Sequence, residues 1–455
     1  MKTKNFIYSI SNNIGLMIIP LFVMPHLTRV LGPSELGKIA FVLSVFAIFN
    51  TVSSLGLNLF GKRRVAQFIN SVSKRNVIFT SVFVSKLLIT FCTSIVYTFV
   101  VFVVFPEDKF LFLILLIENL INIVDISFAY HGILKFRIIL LVSLLPKLIS
   151  AGLILSFVVD EGLGHLYLFL LSSVSFAAYA IFLIFQQSFQ FVRFKFIQLS
   201  YIVKSINYFM MNLLTTFEQS YDRLIIGFTT LHYSQLGFYD IALKVVMLFC
   251  SFVVSISNVV MPMLARDEHG IETQSYSARL LLIIILIATS FGILMGEVLP
   301  NYLTTLFGQS YSEAALYFDI FSVLVITKSV GIFVLQTFLV VQNKVKNANK
   351  LSVLCVMPAL PLYFYLSYVH GIMYVAVAVC FIDFIKATSL VIISNIKCKF
   401  RIIFIFWLAI TLLFSFEYLS ERWLLGIGND GILLLKFIFL GIPFLLLVYK
   451  TFRKL

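Results

Sequence analysis

Apolar runs long enough to cross a bilayer recur from one end of this chain to the other, separated by short polar or charged punctuation. A helix needs about 20 mostly apolar residues to span the hydrocarbon core. The 455 residues hold about 14 such segments, at 5–26, 36–60, 77–105, 110–132, 138–159, 163–186, 205–229, 237–262, 278–300, 314–341, 350–369, 372–394, 402–419 and 432–450. Barrel strands alternate over only about 10 residues, so a barrel is excluded. Composition agrees: 61% of the residues are hydrophobic and 12% are charged, against about 25% charged in a soluble domain. The expected class is an all-α polytopic membrane protein with no sizeable extramembrane domain, so its function must sit inside the bundle.

The formal net charge of +14 would suggest an anionic polymer as partner if the chain were soluble. Its placement gives a different reading. With the N-terminus (Lys2, Lys4) in the cytoplasm, alternate loops hold Lys62, Arg63, Arg64, Lys74 and Arg75; Lys135 and Arg137; Arg193, Lys195 and Lys204; Arg266 and Arg279; Lys344, Lys346 and Lys350; and Lys397, Lys399 and Arg401, with Lys450, Arg453 and Lys454 in the tail. The opposite loops keep Arg29, Lys38, Lys109 and Arg422. Lys and Arg accumulate on the cytoplasmic side of membrane proteins, so both termini are expected there, and no nucleic-acid partner is needed. The first segment carries Asn12, Asn13, Pro20 and Pro25 and leads into a charged turn without a small-residue cleavage site, which reads as a retained first helix. The five cysteines show no CxxC, and the histidines lack ligands at helical spacing, so neither a disulfide framework nor a metal site is indicated.

Sliding the chain by 200 residues aligns Tyr8 with Tyr208, Asn12 with Asn212, Leu31 with Leu231, Ser34 with Ser234, Leu36 with Leu236 and Gly37 with Gly237. The stretches LGPSELG (31–37) and LHYSQLG (231–237) fall at the outer turn after the first helix of each half. Six expected spans separate the two starts, which makes the halves parallel repeats about an axis along the membrane normal, a recurrent transporter plan. The expected organisation is a six-helix lobe over 1–200, a second over 201–395, and two further helices over 396–455, with a central cavity between the lobes.

Ionisable side chains in hydrocarbon cost at least about 2.5 kcal/mol at a helix centre on insertion scales, so each needs a partner, a wet cavity or the interface. Glu118, Asn122 and Asp125 stand at i, i+4 and i+7, one face of a helix. They suit proton or cation coupling, or a structural pairing with Lys86 or Lys147. The densest cluster is Glu218, Gln219, Asp222 and Arg223. Glu218 and Asp222 share a face, while Arg223 lies about 100° around and offers a fork of donors suited to phosphate; an interhelical ion pair is the other reading. Asp240 with Lys244, and Asp383 with Lys386, read as self-neutralising helical pairs. Lys328 lacks a local partner and therefore suits a cavity. Arg29 follows Pro20 and Pro25, which predict a kink, and either faces the cavity or snorkels to the interface. No GxxxxGK[ST] loop, GxSxG elbow or HExxH is present. Neither enzymatic chemistry nor a cofactor is expected, and the energy source is a proton, sodium or substrate gradient.

The stretch IIPLFVMPHLTRVLGPSELGKIAF ending at Phe41, with SSLGLNLFGKRRVAQ (53–67) and DRLIIG…LGFYDIALKVV (222–246), resembles the Wzx-type O-antigen and polysaccharide repeat-unit flippases of the multidrug/oligosaccharidyl-lipid/polysaccharide exporter superfamily. The resemblance implies a bacterial inner-membrane protein of lipopolysaccharide or polysaccharide biosynthesis. Its substrate would be an undecaprenyl-pyrophosphate-linked oligosaccharide carried to the periplasmic leaflet by alternating access, with membrane lipids, a polysaccharide polymerase and a chain-length regulator as partners. In that setting Arg223, Lys328 and Arg29 would serve the pyrophosphate or sugar path, and Glu118, Asp125, Glu218 and Asp222 ion coupling or gating. A multidrug exporter, a lipid II flippase and a membrane glycosyltransferase or polymerase stand as alternatives.

Overall fold

The computed structural model describes residues 2–230, 233–264, 271–342 and 344–394, with Ile405 and Leu408. The expected spans at 402–419 and 432–450 otherwise lie outside the described residues. What is described is helical: α1 (Lys2–Ser54), α2 (Leu57–Gln67), α3 (Val72–Val104), α4 (Lys109–Val124), α5 (Ser127–Gly132), α6 (Phe136–Phe157), α7 (Gly164–Phe185), α8 (Ser200–Thr229), α9 (Tyr233–Leu264), α10 (Ile271–Ile293), α11 (Leu299–Phe307), α12 (Ala315–Phe333), α13 (Val345–Val369) and α14 (Ile372–Ile393). Wide π turns at Leu294–Val298 and Val334–Leu339 prolong α10 and α12.

Among the described residues ten segments are long and apolar enough to cross a membrane. The first of them, Ile18–Gln67, has 50 residues and would be roughly 75 Å long if straight, enough for two crossings. It is divided at Gly32, whose φ of 70° and ψ of 174° are not helical. Pro33 disfavours the α conformation in the residue before it, and glycine alone takes this φ without strain. The break at Gly32–Pro33 falls between the expected spans 5–26 and 36–60 and makes the turn between them. Helix α8 forms where expected but is not one of the ten, because Lys204, Glu218, Gln219, Asp222 and Arg223 dilute its hydropathy.

Contacts divide the chain into two units, Met1–Gly227 with His232–Gly237, and Phe228–Leu231 with Phe238–Leu455. The boundary drawn from sequence at 200 precedes α8, whereas the contact-defined first unit runs on to Gly227. Small residues hold α8 there. Gly227 lies against the Phe41 ring, and a Cβ at Gly56 (φ 68°) would meet the backbone of residues 205–209. Thr51 and Thr216 share a hydroxyl bond of 2.8 Å. Phe79 stacks on Phe128 and Phe189 at the centre of one core of this unit.

In the same unit the two repeated turns meet. A Cβ on Gly37 would run into the Tyr233 carbonyl oxygen, and one on Gly237 into the Pro33 carbonyl oxygen. Pro33 and Tyr233 are equivalent under the 200-residue offset, as are Gly37 and Gly237. A contact in which equivalent residues exchange places marks a local two-fold relation, independent support for the repeat.

The second unit packs α10, α12 and α14 around Phe333, Val330, Ile326 and Leu390. Large apolar side chains such as Phe99, Phe185, Leu354 and Tyr368 stay exposed along the helices. Water would not tolerate that many; lipid is their solvent.

Candidate functional site

The polar interior of the first unit is built on α4. Its apolar run positions Glu118, Asn119 and Asn122 on successive turns facing α1, α3 and α7. Asn119 Nδ2 donates to Ser94 Oγ at 2.8 Å, and Asn122 Nδ2 to Asn50 Oδ1 at 2.5 Å. Asn119 is 1% exposed. Sequence reasoning passed over Asn119, Asn50 and Ser94; the signal was an uncharged amide inside an apolar helix. The Ser172 hydroxyl on α7 points at Glu118 Oε2 from 3.5 Å, and the charge of Lys147 on α6 acts on the same carboxylate.

Asp125 does not share that role. Helix α4 stops at Val124, and Asp125 takes an extended ψ of 101°. Its Oδ1 accepts the Ser127 N–H at 2.8 Å and so caps the start of α5. Lys86, 0% exposed, donates from Nζ to the Asp125 carbonyl oxygen at 2.7 Å and lies 4.9 Å from the Phe128 ring centre. A buried ammonium thus satisfies the end of one half-helix while a carboxylate satisfies the start of the next, in agreement with the cost of leaving backbone groups unpaired in a membrane. Glu118 and Asp125 thus answer to different cations, Glu118 to the charge of Lys147 and Asp125 to that of Lys86, the structural alternative that the sequence left open, and the helix ends with Asp125 as its C-cap.

Two cavities flank these centres. One, of about 230 Å³, is bounded by α1 from Leu16 to Leu27 together with Lys147, Ser150, Ile154, Tyr167 and Leu171, so that Lys147 sets a cation in a mostly apolar wall. A smaller one of about 130 Å³ is lined by polar groups, Asn12, Ser127, His131, Ser143 and Tyr179, and Ser143 Oγ donates to Asn12 Oδ1 across it at 2.5 Å.

On α8, Asp222 is buried and Glu218 and Arg223 are half-buried. Asp222 Oδ1 accepts the Arg223 N–H at 2.8 Å and stands 3.8 Å from its Nε, while Arg223 Nη2 donates to the Gln219 carbonyl. Arg223 therefore approaches Asp222 although it lies about 100° around from it; the long guanidinium folds back along its own helix. Arg29 is exposed on α1.

In the second unit Asp240 and Lys244 pair at 2.6 Å within α9, as their spacing implied. Asp383 meets a cation on another helix. Its Oδ2 lies 2.7 Å from Lys328 Nζ, with both side chains 20% exposed, so Lys328 takes as partner the carboxylate that the sequence assigned to Lys386. Helices α12 and α14 pack along their lengths, and that contact brings Lys328 to Asp383.

The chain matches a family model described as polysaccharide biosynthesis protein over residues 3–268. Among curated proteins none matches it in sequence. Its fold is similar to that of lipid II flippase MurJ in an inward closed conformation, with a TM-score of 0.69 and 15% identity, covering 98% of each chain. It is similar also to an inward-facing multidrug resistance MATE family transporter of the MOP superfamily, with a TM-score of 0.63, 15% identity and coverage of 92% of this chain and 96% of the other. A MOP superfamily transporter from Pyrococcus furiosus, described as having reversed polarity of its binding pocket, aligns with a TM-score of 0.58 and 15% identity over 85% of this chain and 94% of its own.

Proposed function

This chain belongs to the polysaccharide biosynthesis protein family, and on that premise we propose that it is a flippase, carrying an undecaprenyl-pyrophosphate-linked oligosaccharide from the cytoplasmic to the periplasmic leaflet of a bacterial inner membrane. The observation that carries the reading is the combination of that family with a fold shared with transporters and buried charges held inside a membrane bundle. The substrate chemistry suits it. A pyrophosphate takes guanidinium and ammonium groups, sugars take amides and hydroxyls, and a polyprenyl tail stays in lipid throughout.

Arg223 is the cation assigned to the pyrophosphate, because a half-buried guanidinium in a membrane helix offers a fork of donors suited to phosphate oxygens. Arg29, exposed, is assigned to the entry path. Lys328 serves as a gated cation, released only if Asp383 takes a proton or a sodium ion. Glu118 beside Lys147 is the coupling carboxylate of the first unit, with Glu218 and Asp222 responding to substrate on α8 and Asp125 holding the α4–α5 break.

The test is export of surface polysaccharide in a strain deleted for this protein and complemented with wild type or with Arg223→Ala at matched membrane levels. Accumulation of cytoplasmic-leaflet repeat unit, rescued by the wild type alone, supports both assignments. Rescue by both keeps the flippase and returns Arg223 to a structural role. The likeness to MurJ gives lipid II a specific claim as cargo; restored growth on depletion of a lipid II flippase, with polysaccharide unchanged, would select it, and altered drug tolerance alone would select an exporter.

A further inference from the structure

One end of the first unit collects cations from four separate stretches. Lys62, Arg63 and Arg64 end α2, Lys74 and Arg75 open α3, Lys135 and Arg137 flank the α5–α6 turn, and Arg193, Lys195 and Lys204 belong to the connection into α8 and its first turn. Residues 61–79, 127–137 and 186–204 contain no Asp or Glu. Orientation in the membrane needs only the number of such charges near the span ends. Here they are also fixed in place. The connection 186–199 is tied to the first turns of α3 by three backbone N–H groups, Gln190 to Asn76 Oδ1 at 3.3 Å, Val192 to Thr80 Oγ1 at 3.0 Å and Gln198 to Ser81 Oγ at 3.0 Å. Lys135 Nζ reaches Ser188 Oγ at 3.0 Å, and Arg63 Nη1 reaches the Tyr208 hydroxyl at 2.8 Å.

The tightest group surrounds Phe68. Arg64 and Lys74 lie 5.2 and 5.1 Å from the centre of this one ring, and Arg75 lies 6.0 Å from that of Phe189. Each contact is favourable by itself, but like charges gathered without a carboxylate repel. The Nε–H groups of Arg64 and Arg75 are shielded from solvent and meet no acceptor among the described residues. Arg64 Nη1 donates to Gln67 Oε1 at 3.0 Å, and two guanidinium groups with an unmet Nε–H beside an ammonium suit phosphate oxygens once the side chains turn toward them. Around them Ile69, Val72, Leu134, Phe191 and Phe196 are exposed. A soluble anion would leave these side chains in water, whereas a lipid brings acyl chains directly beneath its phosphate.

We propose that Arg64, Lys74 and Arg75, gathered at the α2–α3 turn around Phe68, hold the phosphate head group of an anionic phospholipid of the surrounding leaflet, with Ile69, Val72 and Phe191 among its acyl chains. The proposal stands whether or not the cargo is a lipid-linked sugar. Polybasic surfaces next to membrane spans attract anionic head groups; this one adds fixed geometry and unsatisfied donors to the charge.

Native mass spectrometry of the full chain, released from mild detergent with phosphatidylglycerol or phosphatidylcholine added, tests it. The wild type is expected to retain phosphatidylglycerol about tenfold over phosphatidylcholine, and Arg64→Gln/Lys74→Gln/Arg75→Gln to fall within about twofold, the loss of several head-group charges. Because the triple variant removes charges that orient the chain, Arg64→Lys/Arg75→Lys serves as second variant. It keeps every charge but replaces each guanidinium fork of five N–H donors, Nε–H included, by an ammonium with three, and its preference is expected to drop about threefold. A full wild-type preference in the folded triple variant, or in the lysine variant where the triple is not produced, overturns the proposal. So does recovery of a lipid-linked diphosphate, or of an acidic peptide without phospholipid preference, as the species retained at this turn.

Discussion

Lys328 and Asp383 stand on different helices, and their 2.7 Å pair is a contact that breaking from one side makes costly. Removing one partner leaves an uncompensated charge in low dielectric, while removing both is milder. Lys328→Met is therefore expected to lower the melting temperature of the purified protein, and Lys328→Met/Asp383→Asn to recover most of the loss, with a coupling of about 1–3 kcal/mol by double-mutant cycle. Additive losses would mean that the two charges work apart. Glu118 carries a functional expectation. Glu118→Gln keeps an acceptor for Ser172 but removes the charge that answers Lys147, and flipping measured at matched membrane levels should fall about tenfold or more if this carboxylate couples transport. Unchanged flipping would make it structural. Of these pairs, Asp240 with Lys244 was legible in the sequence, since a helix fixes neighbours four residues apart. Lys328 with Asp383 was not, because which faces of α12 and α14 meet is decided by packing.

At the scale of elements, the break between α4 and α5 and the paired glycine turns are the features that a single residue can undo. Asp125→Ala removes the acceptor for the Ser127 N–H, at about 1 kcal/mol for a lost helix cap, and also takes away a carboxylate close to the buried Lys86. Asp125→Asn retains the cap. Thermal melting in detergent should therefore rank wild type above Asp125→Asn and Asp125→Asn above Asp125→Ala, and equal melting of the two variants would show that the cap contributes nothing. Gly37→Leu and Gly237→Leu drive side chains into backbone carbonyls that have no rotamer to escape through. Each is expected to cost about 3 kcal/mol or more, read as lost membrane-inserted protein. Gly152→Ala is the control, since nothing lies within 4 Å of its Cβ and helix propensity favours alanine. The turns themselves were visible as LGPSELG and LHYSQLG; that their glycines touch each other's partners was not.

For the whole molecule, the distribution of Lys and Arg sets an orientation that labelling can read. In a cysteine-free background, Ser188→Cys in the α7–α8 connection should resist a membrane-impermeant maleimide in intact cells and react in inverted vesicles, with Asp160→Cys between α6 and α7 doing the reverse; the opposite pattern would invert the topology. By itself the sequence determined the solvent, the helical class, the 200-residue repeat and the stock of buried charges, because hydropathy, helical period and composition are local or additive properties of a chain. Only the tertiary structure decided how those charges are spent: Lys86 on a broken helix end, Lys147 on Glu118, Lys328 on Asp383, and Arg64 with Lys74 on one ring. The rotation of each helix about its own axis, and the neighbour it meets there, come from the packing of many side chains at once, and no spacing within one segment encodes them.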